Sequence, residues 1–384
     1  MVLNDYLNPV ELDKPEEYVL NSKELFNFTI TVNTANVDLG DLSNYNMAIV
    51  GVPEDRNSPN KGSAMAPEKV RIELYKLISP VSKLKIVDLG NIKPGNTYTD
   101  TYFALKEVVY QLLCDNLTII IIGGTQDLTI PAFNACENYK NSVNLAVIDS
   151  RIDLNKDALK FDSASYLIEL LPKKNKLFKF VNVGHQAYLT EKANLELVSK
   201  LFHDAIRLGE VRGDLKKIEP LLRDSDIVSF DIGSVRQADA PGHYRSNPNG
   251  FYSEEGCQIA RYAGLSDMVR VLGIFETNAR LDNNNQTAAL AAQMIWHFID
   301  GLENRIIETP GPDNNNFKTF IVAHTDLDHD MTFYKSMKTD RWWLEVPNIT
   351  NSASTTVSCS IDDYHTACNH EVPDIWWKTF QKMG

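Results

Sequence analysis

The segment from Asn144 to Asp153 constrains the fold of this chain more than any other. It reads Asn-Leu-Ala-Val-Ile-Asp-Ser-Arg-Ile-Asp, a continuous apolar run that ends in acidic residues. Such a run is typical of a parallel strand buried on both faces, and open α/β sheets bind ligands at the carboxyl ends of these strands. Two further runs end similarly, Leu117–Ile122 leading into Asp127 and Asp226–Phe230 into Asp231. Together they predict one acidic cluster, in which we expect no histidine.

Apolar runs alternate with segments of 3.6-residue apolar spacing between Met47 and Leu302. The runs are Met47–Val50, Leu84–Val87, Leu117–Ile122, Leu145–Ile148, Leu177–Val183, Ala205–Leu208, Ile227–Phe230 and Val269–Phe275. This alternation predicts a three-layer α/β/α fold with a mainly parallel sheet of roughly eight strands. Two helix-poor segments, Asp149–Tyr166 and Ser234–Glu254, follow acidic strand ends, where such folds place functional loops.

We divide the chain into an N-terminal extension (1–45), an α/β domain (46–305), and a linker with an aromatic-rich extension (306–384). In the first part, Phe26–Val32 predicts an added edge strand. The last part holds four of the five tryptophans, Trp342, Trp343, Trp376 and Trp377. We expect them to pack on the core or on another subunit. The extension is therefore our candidate surface for a protein partner or for self-association.

The composition narrows the partners and the compartment. With 38 basic and 51 acidic residues the formal charge is −13, which argues against nucleic acid or an anionic membrane surface. No apolar run approaches the roughly 18 residues of a membrane span. Five widely spaced cysteines favour a reducing compartment. The N-terminus lacks a secretory pattern, so we predict a cytoplasmic protein.

Six landmarks between residues 46 and 305 resemble, in the same order, those of the ureohydrolase family (arginase, agmatinase and formimidoylglutamase). They are Gly51-Val-Pro with Gly62-Ser-Ala-Met-Ala-Pro; Gly123-Gly-Thr-Gln-Asp-Leu-Thr; Asp149-Ser-Arg-Ile-Asp153; Ser229-Phe-Asp-Ile-Gly-Ser-Val-Arg-Gln-Ala-Asp-Ala-Pro-Gly242; Gly250-Phe-Tyr-Ser-Glu-Glu255; and Phe275-Glu-Thr-Asn278. The resemblance implies an arginase-like fold.

The resemblance also implies a chemistry that this chain only partly retains. Family members hold two Mn²⁺ ions with two His and four Asp, and a metal-bridging hydroxide attacks a guanidinium or amidine carbon. Asp149, Asp153 and Asp231 remain at ligand positions. The other three positions carry Gln126, Arg151 and Gly233, and none of these residues is a good metal ligand. We therefore expect no metal cofactor, and Mn²⁺ only if the chain is a divergent hydrolase.

Electrostatics predicts what replaces the metal. Three converging carboxylates repel one another unless a cation or a proton intervenes. A guanidinium suits bidentate pairing with carboxylates. We predict that Arg151, together with Arg236, supplies the positive charge of the missing ions.

The predicted ligand pocket contains Gln126, Asp149, Arg151, Asp153, Asp231, Arg236 and Glu276. Glu276 matches the family acid that binds the substrate's cationic group; alternatively it caps a loop or pairs with Arg280. Weak catalytic candidates are Asp149, Glu276 and His185. His185 follows the fifth predicted strand and is the only nearby candidate base, although a structural histidine bonded to the backbone is an alternative.

Two other groups contain ligand-type residues, His324 to Asp330 and the set Cys359, His365, Cys368 and His370. Neither has the spacing of a familiar calcium or zinc site. We expect neither group to bind a metal.

Three functions remain open. The first is a pseudoenzyme, a ureohydrolase fold kept as a binding or assembly module. The second is a divergent metal-dependent hydrolase of C–N bonds in guanidino or formimino substrates. The third is a sensor of a guanidino or amino-acid ligand, which keeps the pocket without chemistry.

Overall fold

The computed structural model describes residues 3–11, 23–34, 37, 39–155, 161–173, 176–323, 330–348 and 354–383. The candidate ligands from His324 to His329 lie outside these residues. Ten described strands form one sheet: β1 Leu7–Asn8, β2 Thr31–Val32, β3 Met47–Val52, β4 Ile86–Ile92, β5 Thr118–Gly123, β6 Val143–Ile148, β7 Leu177–His185, β8 Asp204–Arg207, β9 Ile227–Asp231 and β10 Val271–Phe275.

The sheet order is β1-β4-β3-β5-β10-β9-β6-β7-β8, with β2 also beside β4. The pairings are parallel except that of β1 with β4. Strands β3 to β10 correspond to the eight apolar runs, so the predicted mainly parallel sheet is confirmed. The edge strand predicted over Phe26–Val32 is wrong in its first half, because Phe26–Thr29 form a short helix, α1; only Thr31–Val32 join the sheet.

Helices cover both faces because alternate residues of each strand point to opposite sides. Ile120 and Ile122 pack in one apolar core, and Ile119 and Ile121 in the other. The first core is covered by α2 Ala66–Leu74, α7 Leu208–Val211, α8 Glu219–Arg223, α9 Ser253–Leu265 and α10 Gln286–Glu303; the second by α3 Tyr98–Cys114, α4 Thr129–Tyr139, α5 Leu167–Leu170 and α6 Lys192–Lys200. No described helix is both long enough and apolar enough to cross a membrane.

The C-terminal segment builds a second, antiparallel sheet of β11 Phe317–Val322, β12 Met331–Ser336, β13 Trp342–Pro347 and β14 Ser354–Cys359, followed by α11 Ile361–Cys368 and α12 Asp374–Met383. It contacts the main domain through Arg223, whose Nη2 donates to the carbonyls of Trp342 (3.0 Å) and Cys359 (3.2 Å). Trp342, Trp343 and Trp376 are buried within the chain, whereas Trp377 is 48% exposed.

Candidate functional site

Strands β5, β10, β9 and β6 are neighbours, so their carboxyl ends meet at one edge of the sheet. The ends bring together Gln126, Glu276, Asp231 and the loop from Asp149 to Asp153. Between them lies a pocket of about 20 Å³, and its lining includes Arg151, Asp153, Asp231, His243, Arg245 and Glu276. We call it the acidic pocket. Its volume is close to that of one water molecule.

Two of the three aspartates of the pocket region, Asp149 and Asp231, accept hydrogen bonds from backbone donors of their own loops. Asp149 Oδ1 accepts from the Arg151 N–H at 2.9 Å, and Asp231 Oδ1 from the Gly233 N–H at 2.6 Å. Burial and the neighbouring Asp153 and Asp231 raise the pKa of Asp149 well above its usual value. Burial raises the pKa of Asp153 and of Asp231 to about 7, and Asp231 also raises that of Asp153. The cluster therefore retains protons near neutral pH.

Arg151 lies near these carboxylates but forms no direct ion pair with them. Within the described part of the chain, its guanidinium makes no ion pair shorter than 4.0 Å, so the predicted bidentate pair is not formed. Its charge nevertheless acts on the cluster, because it opposes the rise in the pKa values of Asp149, Asp153 and Asp231. Arg151 contributes a positive potential without a directed bond.

The prediction that Arg236 joins Arg151 is wrong. Arg236 Nε lies 2.9 Å from Asp239 Oδ2, and its guanidinium lies over the Tyr252 ring at 4.2 Å, outside the pocket lining. The second arginine is Arg245, which lines the pocket and lowers the pKa values of Asp153 and Asp231 by its charge. Both arginines are in the loop after β9, and the sequence does not show which one turns inward.

The expectation of a site without histidine is also wrong. His243 is 7% exposed, and its Nε2 lies 3.7 Å from Asp231 Oδ1. A Cβ atom on Gly233 would lie 2.7 Å from His243 Cε1 and 2.8 Å from Nε2. The imidazole thus fills the space that an aspartate side chain at position 233 would need. The sequence contained a signal for this arrangement. Gly233 has no side chain and so leaves space that another residue can fill, and His243 lies in the loop Ser234–Glu254, which was already predicted to be functional.

His243 is a neutral imidazole. Burial, followed by the charges of Arg245 and Arg151, lowers its pKa to about 3. Its Nδ1 accepts the Arg245 backbone N–H at 3.0 Å. In the neutral ring the other nitrogen, Nε2, then carries the proton and faces Asp231. Neither nitrogen has a free lone pair for a metal in this arrangement.

Glu276 ties three loops together instead of pairing with an arginine. Its Oε1 accepts from the Gln126 N–H and its Oε2 from Asn60 Nδ2, each at 2.8 Å. Burial and Asp231 raise the pKa of Glu276 well above its usual value. Gln126 Nε2 donates to Ser229 Oγ at 3.3 Å, while its Oε1 has no hydrogen-bond partner among the described residues. These bonds fit the loop-capping interpretation of Glu276.

His185 is not the nearest base. It is 2% exposed and lines a separate cavity of about 200 Å³ with Tyr188, Arg207 and Arg212. Burial lowers the pKa of His185. His243 is therefore the histidine of the acidic pocket.

The donor set does not fit a pair of manganese ions. Arg151 is a permanent cation at one position where the family resemblance implies a ligand, and the His243 ring fills the space beside Gly233 at another such position. Across the described residues, no group of three or more His, Cys, Asp or Glu side chains has the arrangement of a metal site. We derive no chemical step through a metal.

Comparison with known proteins agrees with the fold. The arginase family model matches residues 45–300. The formimidoylglutamase of Staphylococcus haemolyticus is 25% identical over 255 residues, covering 64% of this chain and 81% of the relative. That of Bacillus subtilis is 23% identical over 286 residues, covering 67% and 87%. The structure of Trypanosoma cruzi formiminoglutamase with Mn²⁺ superposes with a TM-score of 0.65 at 22% identity, covering 70% and 96%.

Proposed function

This chain belongs to the arginase family, and we propose that it is a non-catalytic member that has lost the binuclear manganese site and acts as a binding or assembly module. The observation that carries the proposal is the His243 ring, which fills the space beside Gly233. Arg151 at a ligand position adds a second obstacle, because two dications next to a fixed guanidinium would be strongly repelled.

The size and chemistry of the acidic pocket support the same proposal. A space of about 20 Å³ does not accommodate a guanidino or formimino group with its amino-acid tail. Partial protonation of the aspartates, with Arg151 and Arg245 nearby, balances the cluster without metal. These features also argue against a guanidino-ligand sensor that uses this pocket.

The assembly role falls to the C-terminal segment. It lies beyond the family match and carries Trp377, a large exposed apolar side chain. Light scattering of wild-type protein and of Trp377→Ala tests this role. A smaller mass for the variant would support a contact between subunits through this helix. If both proteins were monomers of the same mass, the helix would not mediate self-association, and only a contact with a different protein would remain.

A divergent hydrolase is the second candidate. Asp149, Asp153 and Asp231 remain together at one edge, and the similar curated relatives are called formimidoylglutamases. This candidate requires the chain to bind metal in a manner that the donor set does not explain.

Metal analysis of the purified protein separates the two candidates. After growth with Mn²⁺ and without chelators, we expect no stoichiometric manganese by inductively coupled plasma mass spectrometry. The variant that combines Gln126→His, Arg151→His, Gly233→Asp and His243→Ala should gain manganese, whereas Arg236→His, outside the pocket, should not. About two ions per wild-type chain, with turnover of formiminoglutamate, arginine or agmatine, would overturn the proposal.

A further inference from the structure

A second, larger cavity lies at the opposite edge of the main sheet. Its volume is about 550 Å³. One wall comes from the amino ends of β6 and β7 and from the residues preceding β9 and β10; the other comes from the linker at Glu308 and from β13, β14 and α12. We call it the amino-edge cavity. The C-terminal segment and the amino edge of the sheet therefore form the walls of one open cavity, which shares no lining residue with the acidic pocket.

Buried donors without hydrogen-bond partners line this cavity. Lys179, Arg223 and Ser358 are 7%, 2% and 2% exposed. Lys179 Nζ, Arg223 Nε and Nη1, and Ser358 Oγ have no hydrogen-bond partner among the described residues. The nearest carboxylates are 3.7 Å from Lys179 Nζ, at Asp224, and 3.5 Å from Arg223 Nε, at Glu219. Burying unsatisfied donors is unfavourable, so the arrangement calls for an added acceptor.

The three acidic residues of the lining, Asp224, Asp267 and Glu308, already accept hydrogen bonds. Asp267 Oδ2 accepts the Glu308 N–H at 3.3 Å. Asp224 accepts the Ser358 N–H through both carboxylate oxygens, at 3.1 and 3.0 Å. Glu308 accepts the hydroxyls of Ser336 and Thr339. Of the three residues with unsatisfied atoms, Lys179 and Arg223 are cationic donors, and the Ser358 hydroxyl can also donate. The complementary ligand is an oxyanion.

The lining also has an apolar part. Trp343 forms part of the wall, and the Arg223 guanidinium lies over its ring at 4.3 Å. Phe178, Met268 and Ile375 complete an apolar surface around the donors. A volume of about 550 Å³ lies within the range of small-molecule sites, which combine apolar walls with a few placed polar groups.

We propose that the amino-edge cavity binds a small organic anion, with its carboxylate or phosphate head on Lys179, Arg223 and Ser358 and its apolar body against Trp343 and Met268. The site uses main-domain and C-terminal residues together. It is independent of the acidic pocket, so it stands or falls separately from the proposed loss of catalysis.

Titration of the full-length protein with charged and neutral probes of one shape tests this site. Benzoate and phenyl phosphate should bind by calorimetry and change tryptophan fluorescence. Benzamide, which lacks the charge, should bind at least about tenfold more weakly. Equal affinity for benzamide, or no binding of either anion, would overturn the proposal.

Variants locate the bound anion. Lys179→Met keeps the apolar stem and should weaken benzoate at least about tenfold, and Ser358→Ala should weaken it less. Lys173→Met, whose lysine pairs with Glu137 outside this cavity, is the matched control and should leave the affinity unchanged. If Lys179→Met fails to fold, the affinity of Ser358→Ala for benzoate and the comparison of benzoate with benzamide test the site. Loss of binding in Arg245→Gln but not in Ser358→Ala would place the anion in the acidic pocket and refute the assignment.

Discussion

The two edges of one sheet have opposite characters. At the carboxyl edge, where α/β folds usually bind ligands, the chain's own side chains fill the space to about 20 Å³. At the amino edge, the C-terminal segment encloses about 550 Å³ with unsatisfied donors. In this chain the carboxyl edge keeps little space, and the larger cavity lies where the C-terminal segment packs against the opposite edge.

The largest expected effect comes from forcing a side chain back into the closed edge. Gly233→Ala places a Cβ against the His243 ring and should destabilise by about 1–3 kcal/mol. Gly233→Asp should cost about 3–5 kcal/mol, because it also adds a carboxylate to a buried acidic cluster. Urea denaturation measures both variants. In a double-mutant cycle, adding His243→Ala to Gly233→Asp should recover part of the lost stability. If Gly233→Ala left the free energy of unfolding unchanged, the His243 ring would not fill the space beside Gly233.

The carboxyl edge should become less stable as the pH rises. The pKa values of Asp153 and Asp231 are about 7 in the folded protein and about 4 in unfolded chains. The folded state therefore binds more protons between these values, and stability falls as the pH rises through 7. We expect a loss of roughly 2–4 kcal/mol between pH 5 and pH 8 in urea denaturation.

Asp153→Asn should flatten this pH dependence. Asp239→Asn is the control, because hydrogen bonds from Arg236 and Ser253 overcome burial and lower the pKa of Asp239. The contribution of Asp239 to the free energy of unfolding therefore increases, and does not decrease, as the pH rises. An unchanged slope in Asp153→Asn would mean that the cluster does not retain protons.

The amino edge should show the reverse dependence at lower pH. His203 precedes β8, and its Nδ1 accepts the Phe180 N–H at 3.2 Å. Burial, then Lys382, lowers the pKa of His203 to about 3, below its usual 6.5. Between these values only the unfolded state gains the proton, so stability falls as the pH drops below 6.5. We expect this contribution to fall by about 2 kcal/mol from pH 6.5 to pH 5, measured as the difference between the pH dependence of the wild type and that of His203→Gln.

The smallest effect separates the two arginines of the loop after β9. Arg236→Gln removes a partly exposed pair with Asp239 and should not measurably move the denaturation midpoint. Arg245→Gln removes a charge that lowers the pKa values of Asp153 and Asp231, so the decline in stability should continue to higher pH than in the wild type. If Arg236→Gln extends the decline to higher pH instead, the assignment of Arg245 to the pocket is wrong.

Strands β3 to β10 of the α/β sheet and the acidic strand ends were predictable because long apolar runs admit few alternatives. The family resemblance placed Asp149, Asp153, Asp231 and Glu276 at the same sheet edge. His243 and Arg245 were missed because they lie ten or more residues beyond Gly233 and Asp231, in a loop without regular periodicity. Side-chain directions in such a loop depend on packing that no local pattern encodes.

The sequence by itself determined the layered sheet and placed Gln126, Arg151 and Gly233 at three positions where the family resemblance implies metal ligands. Those features depend on residue type and on periodicity along the chain, which are local properties. Only the tertiary structure decided that an imidazole fills the space beside Gly233, and that Lys179, Arg223 and Ser358 meet at one cavity. These arrangements join residues far apart in the chain, and the folded packing alone sets their distances.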